Sequence, residues 1–187
     1  MISAILDANV LFSASLRDLL MNLTVTKAVS THWTDDIHDE WTESLLKKRP
    51  GLKRESLQRT RQAMNSAVSS GLVSGYHDRI KDLNLPDPND RHVLAAAIQI
   101  GASCIVTNNL KDFPQAVLSR YAIEALSPDE FVFRLTQERP NEVLQAAKDQ
   151  RAGLHHPPKT VDQFLETFRR QGLAKTVAFL EEHRSEI

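Results

Sequence analysis

Cysteine is nearly absent from this 187-residue chain. Cys104 stands alone, so no intrachain disulfide can form, and its place in the apolar run Cys104-Ile105-Val106 marks it as a small buried hydrophobe. Nor does any apolar run approach the roughly 20 residues a bilayer-spanning helix needs. The N-terminal stretch Met1 to Leu6 is shorter than the apolar core of a signal peptide and meets Asp7 at once, so a cytoplasmic protein with no membrane association is expected. Net charge is also lacking: 23 basic against 24 acidic residues leave −1, which excludes an overall field that would draw the chain to a polyanion. A histidine pair of zinc-protease type, a glycine-rich nucleotide loop and a serine nucleophile elbow are all missing, which leaves zinc proteases, P-loop enzymes and α/β-hydrolases without support.

What is present reads as alternating strands and helices. At 41% hydrophobic and 25% charged residues the composition is that of a globular domain with a modest extension. Ile2 to Leu6 suits a buried central strand, followed by a helix through Val10, Leu11, Phe12, Leu16, Leu19 and Leu20; a second strand is expected over Val25 to Ser30. Thr31 or Thr34 caps a helix whose Trp33, Ile37, Trp41 and Leu45 recur every four residues. Pro50-Gly51 ends it, and Leu57, Met64 and Val68 mark the next helix, before a weak strand signal at Leu72-Val73. Asp87-Pro88-Asn89-Asp90 opens an alanine-rich helix that Gly101 ends, with Asp87 as cap and Pro88 at the first helical position. Cys104 to Thr107 and Tyr121 to Leu126 complete the strands, and Ser127-Pro128 opens a further helix.

Alternation of this kind implies crossover units, hence an α/β class fold with three α/β/α layers around a central parallel sheet. After about Leu135 strand signals stop. A helix near Asn141 to Arg151, a His- and Pro-containing linker, a capping box at Thr160 and Gln163, and a last helix from Leu173 to His183 form a C-terminal helical extension. The expected partition is residues 1–134 and 135–187.

Three acids share one layout, each following an apolar stretch: Asp7, Asp90 and Asp112. The carboxyl ends of parallel strands lie along one edge of a sheet, so carboxylates placed there can converge, and converging carboxylates repel unless a cation lies between them. Glu40, at the border of its helix stripe, can join them. Carboxylate oxygens with open positions suit Mg²⁺ or Mn²⁺. Each acid also has a plainer role. Asp90 can serve as a helix-start residue, Asp112 as a turn residue and Glu40 as a surface helix acid, whereas Asp7, directly behind a buried strand, risks desolvation that favours function. The run Lys47 to Arg61 is locally basic, with Lys47, Lys48, Arg49, Lys53 and Arg54 at its start.

The segments Asp7-Ala8-Asn9, Glu40, Asp87-Pro88-Asn89-Asp90-Arg91-His92-Val93-Leu94-Ala95-Ala96-Ala97 and Ile105-Val106-Thr107-Asn108-Asn109-Leu110-Lys111-Asp112-Phe113-Pro114 resemble the PIN domain, most members of which at this size are VapC-type ribonuclease toxins. The resemblance covers Met1 to about Phe133. It implies an α/β PIN-like fold and a metal-dependent endoribonuclease, the toxin of a type II toxin–antitoxin pair. In it Asp7, Glu40 and Asp90 hold Mg²⁺ or Mn²⁺, Asp112 is the fourth acid, and Asn9 steadies the first. Thr107 and Asn109 form the surrounding shell, while His92, at a different angle on the helix from Asp90, is read as structural. Some members carry an aspartate where this chain has Asn109, which leaves Asp112 as the only acid of that loop. The implied partners are RNA, held through Lys47, Lys48, Arg49, Lys53 and Arg54, and a cognate antitoxin. The tail resembles the extension of one VapC subgroup and leaves three roles open: covering the site edge, homodimerisation or antitoxin contact.

Two other readings compete. A strand-end Asp7 also suits an aspartyl-phosphate phosphatase, but Asn9 stands where that chemistry wants a second acid. The other is a PIN-fold module that binds RNA or a partner without catalysis.

Overall fold

The computed structural model of the chain describes residues 2–187; Met1, the first residue of the N-terminal segment, lies outside them. The chain packs as two compact units, one made of residues up to Phe12 with Ser30–Ser127, the other of Ser13–Val29 with Pro128–Ile187.

The first unit is built on a four-stranded parallel sheet: β1 (Ser3–Leu6), β2 (Ser30–His32), β3 (Cys104–Val106) and β4 (Glu124–Leu126), in the order β2-β1-β3-β4. The α/β class with a parallel central sheet is therefore as expected. Ile5 pairs with His32 on one side and Ile105 on the other, and Val106 stands between Leu6 and Leu126. The central residues Ala4 to Leu6 and Cys104 to Val106 are buried, which suits unbroken apolar runs in a parallel sheet. Chain order reverses between β1 and β3. This is the switch point beyond which ligands bind in parallel α/β sheets.

Among the described residues the α-helices of this unit are α1 (Ala8–Leu11), α3 (Asp35–Lys48), α4 (Arg54–Ala67), α5 (His77–Ile80), α6 (Arg91–Ile100) and α7 (Gln115–Leu118). The Thr34 hydroxyl accepts from the Ile37 N–H at 3.1 Å and so caps α3, whose Ile37, Trp41 and Leu45 are buried as one stripe. Asp35 and Asp36 in its first turn and Lys47 and Lys48 in its last complement the helix dipole. Behind the stripe lies a closed polar network. Trp41 Nε1–H donates to His38 Nδ1 (3.0 Å), Trp33 Nε1–H donates to Asn65 Oδ1 (2.7 Å), and that oxygen also meets His38 Nε2 at 3.2 Å. Burial holds the His38 imidazole below its ordinary pKa, so it is a neutral member of the core. Helix α6 packs on β1 and β3 through Val93 to Ala97, and Gly101 ends it with a left-handed φ of 61°.

The sequence and the structure part company in three places. Val25 closes helix α2 (Ala14–Val25) instead of opening a strand, because Leu16, Leu19, Leu20 and Leu23 carry the helical period to that point and are all buried; β2 begins only at Ser30. The single helix expected across Val10 to Leu20 breaks at Phe12-Ser13, where the Ser13 hydroxyl accepts from the Leu16 N–H and starts α2. Strand β4 is likewise shorter than Tyr121 to Leu126, since Ala122 turns left-handed at φ 56°.

The second unit is helical: α2 with α8 (Pro128–Glu138), α9 (Pro140–Ala152), α10 (Val161–Arg169) and α11 (Ala174–Glu182). α2 packs on α9, and α8 on both α9 and α11. Packing thus draws its line at Ser127/Pro128 and takes α2 into the helical unit, where a linear partition at 134/135 leaves it with the sheet. The reason is the leucine stripe of α2, which finds its apolar partners there. The capping box at Thr160 and Gln163 forms as its spacing predicts. Helix α11 has no side-chain cap of its own, and Asp129 of α8 supplies one by accepting from the N–H groups of Lys175 (3.0 Å) and Thr176 (2.9 Å). Among the described residues no helix is long and apolar enough to cross a membrane.

Gly71 lies against the indole of Trp33, where an added Cβ would stand 2.8 Å from two ring carbons. Trp33 is fully buried and cannot turn away. Gly71→Ala should therefore lower unfolding stability by about 1–3 kcal/mol, read as a fall in the urea midpoint with an unchanged slope.

Candidate metal and RNA site

Asp7 immediately follows β1, and Thr107 immediately follows β3, so the neighbouring strand ends at the switch point deliver them side by side. The Asp7 N–H continues the ladder by donating to Val106 O at 3.0 Å. Its carboxylate is only 4% exposed and is held by two donors on one oxygen, the Thr107 hydroxyl at 2.6 Å and the Asn9 amide at 2.5 Å. Asn9 also donates to Thr107 Oγ1 (3.0 Å) and accepts from the Asn108 N–H (2.9 Å), which locks the loop after β3 to the turn after β1. Burial pushes the Asp7 carboxyl above its ordinary pKa, and hydrogen bonds from the Thr107 hydroxyl and the Ala8 N–H oppose that push.

Asp90 is at the N-terminus of α6, behind a short 3₁₀ turn over Pro88–Asp90 that Asp87 caps through the Asn89 N–H (2.8 Å). Both expected roles meet in this residue: it starts the helix and faces the other acids. Its carboxyl is pushed up to about 6, first by burial and then by the negative charges of Asp7, Asp87, Asp112 and Glu40. Four acids therefore act on the charge of Asp90 in this corner. One Asp90 oxygen, Oδ2, is buried with no hydrogen-bond partner among the described residues. An orphaned carboxylate oxygen inside a ring of like charge is an arrangement that a bound cation would relieve. The residues therefore fit a divalent ion with oxygen ligands.

Glu40 projects from the exposed side of α3, and His92 Nε2 lies 2.9 Å from its Oε1. Burial works against a charged His92, while the hydrogen bond and charge of Glu40 outweigh it and raise the imidazole pKa. Sequence reasoning gave His92 no role at the site. Its only signal was its place two residues after Asp90.

Asp7, Asn9, Glu40 and Asp90 line one cleft of about 680 Å³ together with Phe12, Glu43, Ser44, Lys47 and Lys48. Asp112 does not line it; it is in the loop after β3, where Asn109 donates to its carboxylate, close enough to act electrostatically on Asp90. Among the described residues no three such side chains stand preassembled around a point that could hold an ion. Of the basic run, Lys47 and Lys48 line the cleft, and Lys48 Nζ stands 4.8 Å from the centre of the Phe12 ring. Arg54 pairs with Glu43 at 2.5 Å, while Arg49 and Lys53 are exposed outside the cleft lining. Phe12, Glu43 and Ser44 were not foreseen. A helical-period reading of the polar face of α3 would have found the last two, since Glu40, Glu43, Ser44, Lys47 and Lys48 recur at i, i+3, i+4, i+7 and i+8.

Residues 3–111 match the family model described as PIN domain. The chain belongs to the PIN domain family. A second match, over residues 128–182, is to the VapC50 C-terminal domain, so both the PIN domain and the helices beyond it have counterparts. A Mycobacterium tuberculosis protein named "Putative ribonuclease VapC50" is 45% identical over 67 residues, which are 36% of this chain and 39% of that protein. The aligned part thus spans well under half of this relative's length. No solved structure matches the chain.

The PIN domain's acid corner yields a sign that can be checked. A carboxyl raised in the folded state from 3.8 to about 6 leaves stability intact below about pH 4 and removes it as pH rises through 4 to 6. Asp90→Asn should therefore raise the metal-free unfolding temperature at pH 7.5, by about 2–4 °C once solvent screening of the half-buried group is allowed for, and leave it unchanged at pH 4.

Proposed function

We propose that this PIN protein is a divalent-metal-dependent endoribonuclease acting as the toxin of a toxin–antitoxin pair. The observation that carries the reading is the buried, unpartnered Asp90 oxygen among Asp7, Glu40 and Asp112 at the sheet switch point. Asp7, Glu40 and Asp90 would hold Mg²⁺ or Mn²⁺, with Asp112 assisting from the adjoining loop. Such an ion lowers the pKa of a bound water and neutralises charge on a phosphodiester.

The chain's own side chains do the rest. Thr107 and Asn9 fix the plane of the Asp7 carboxylate from one side, and Asn109 does the same for Asp112. Lys47 and Lys48 line the same cleft as the acids and would take the phosphates of the RNA backbone, a contact that positions the strand without reading its sequence. The name of the mycobacterial relative supports ribonuclease chemistry, and the match to the VapC50 C-terminal domain supports the toxin assignment. A cognate antitoxin follows as the protein partner. A phosphatase with Asp7 as nucleophile fares worse, because that carboxylate is buried and accepts two hydrogen bonds on one oxygen.

Asp7→Asn and Asp90→Asn should each reduce Mg²⁺-dependent cleavage of RNA to the metal-free background while circular dichroism stays that of the parent; cleavage retained by either would refute the reading. Lys47→Ala and Lys48→Ala should weaken RNA binding at every sequence tested. Each should also reduce the slope of log affinity against log salt by about 1.

A further inference from the structure

We propose that His92 is the positioning residue that presents Glu40 to the cation, an inference that rests on the metal reading above. The acids of the corner differ in how they are held. Asp7 is buried and held by Thr107 and Asn9, Asp112 accepts from Asn109, and Asp90 is a short side chain with one oxygen fully buried at the start of α6. Glu40 has none of these supports. It lies in the middle of α3 with a side chain 43% exposed, and a glutamate there has many rotamers open to it. His92 is its one hydrogen-bond partner among the described residues.

His92 is suited to the task because it is itself buried. It is 8% exposed, in the first turn of α6, two residues beyond Asp90. A carboxylate oxygen only accepts, so the Nε2 facing it must carry the hydrogen. The bond at 2.9 Å therefore ties the one acid that comes from α3 to the helix that carries Asp90. An imidazole that orients a ligating carboxylate acts from outside the coordination sphere, and losing such a partner commonly weakens metal affinity 10- to 100-fold. His92 does not line the cleft shared by Asp7, Glu40 and Asp90, so it acts through Glu40 and not on the reacting atoms.

The test is Mn²⁺ binding followed by calorimetry on the full chain, with no RNA present. His92→Phe should weaken affinity by about 10- to 100-fold, and His92→Gln, whose amide can still donate to Glu40, should recover most of the loss. In a Glu40→Gln background His92→Phe should change affinity by less than about twofold, because the residue through which it acts is already gone. Unchanged affinity in His92→Phe, or the same loss in both backgrounds, would overturn the role. A wild type that fails to bind Mn²⁺ at millimolar concentration overturns the metal reading and this inference together, whereas tight binding indifferent to His92 overturns this inference alone. Nitrogen-15 spectra of the wild-type ring decide the matter even if the variants unfold: a hydrogen on Nε2 is expected, and a ring protonated on Nδ1 alone overturns the proposal.

Discussion

Like charge forced together at the end of a buried sheet is the constraint on which the rest of this molecule turns. Asp7 cannot move away from the others, because its own backbone N–H is the last rung of the β1–β3 ladder. Nor can it be solvated, at 4% exposure. The Thr107 hydroxyl and the Asn9 amide answer part of that charge, and both come from chain segments that the same ladder has already brought to the spot. Asp90 then adds a carboxyl that burial first, and the neighbouring acids second, push up to about 6, and one of its oxygens stands without a partner among the described residues. Stability alone would not assemble this corner.

The two units show how such a corner can be placed without a continuous domain. Chain leaves the sheet unit after Phe12, spends α2 in the helical unit, and returns at Ser30 as β2. Within the helical unit α2 buries four leucines and packs on α9, while Gln150 donates from α9 to the Ser15 carbonyl at 2.8 Å. The helical unit therefore owns a piece of the N-terminal third of the sequence. A truncation at residue 134 would strip α2 of its partners.

Much of this was legible in the sequence because local chemistry decides it. Thr34, Asp87 and Thr160 cap the helices they announce, Gly101 and Gly172 close theirs with left-handed backbone, and the apolar runs at Ile2 and Cys104 become the two central strands. The residues after those strands meet because parallel pairing puts strand ends of like direction at one edge, a rule of topology that needs no coordinates. What could not be read depends on partners distant in the chain. Val25 to Ser30 is as apolar as a short strand, and only the burial of α2 to its end decides that the strand starts later. Arg54 belongs to the same basic run as Lys48, yet Glu43 takes it into an ion pair 11 positions away. His92 faces Glu40 across 52 positions, which no periodicity on either helix could reveal.

A single helix sets the scale of the cleft. Along the polar face of α3 the charge changes sign, from Glu40 and Glu43 to Lys47 and Lys48, with Ser44 between them. Eight residues at a helical rise of about 1.5 Å put the two ends about 12 Å apart. Neither end can shift relative to the other, because Ile37, Trp41 and Leu45 anchor the opposite face in the core and the His38 network locks Trp41 in turn. The order of signs is also the one the helix dipole favours, acids toward the N-terminus and lysines at the C-terminus. The element that buries the core thus also fixes the distance between the place where a cation would be held and the place where phosphates would lie. That distance is a property of backbone geometry, and it constrains how a polyanion can enter the cleft before any side chain of the site is considered.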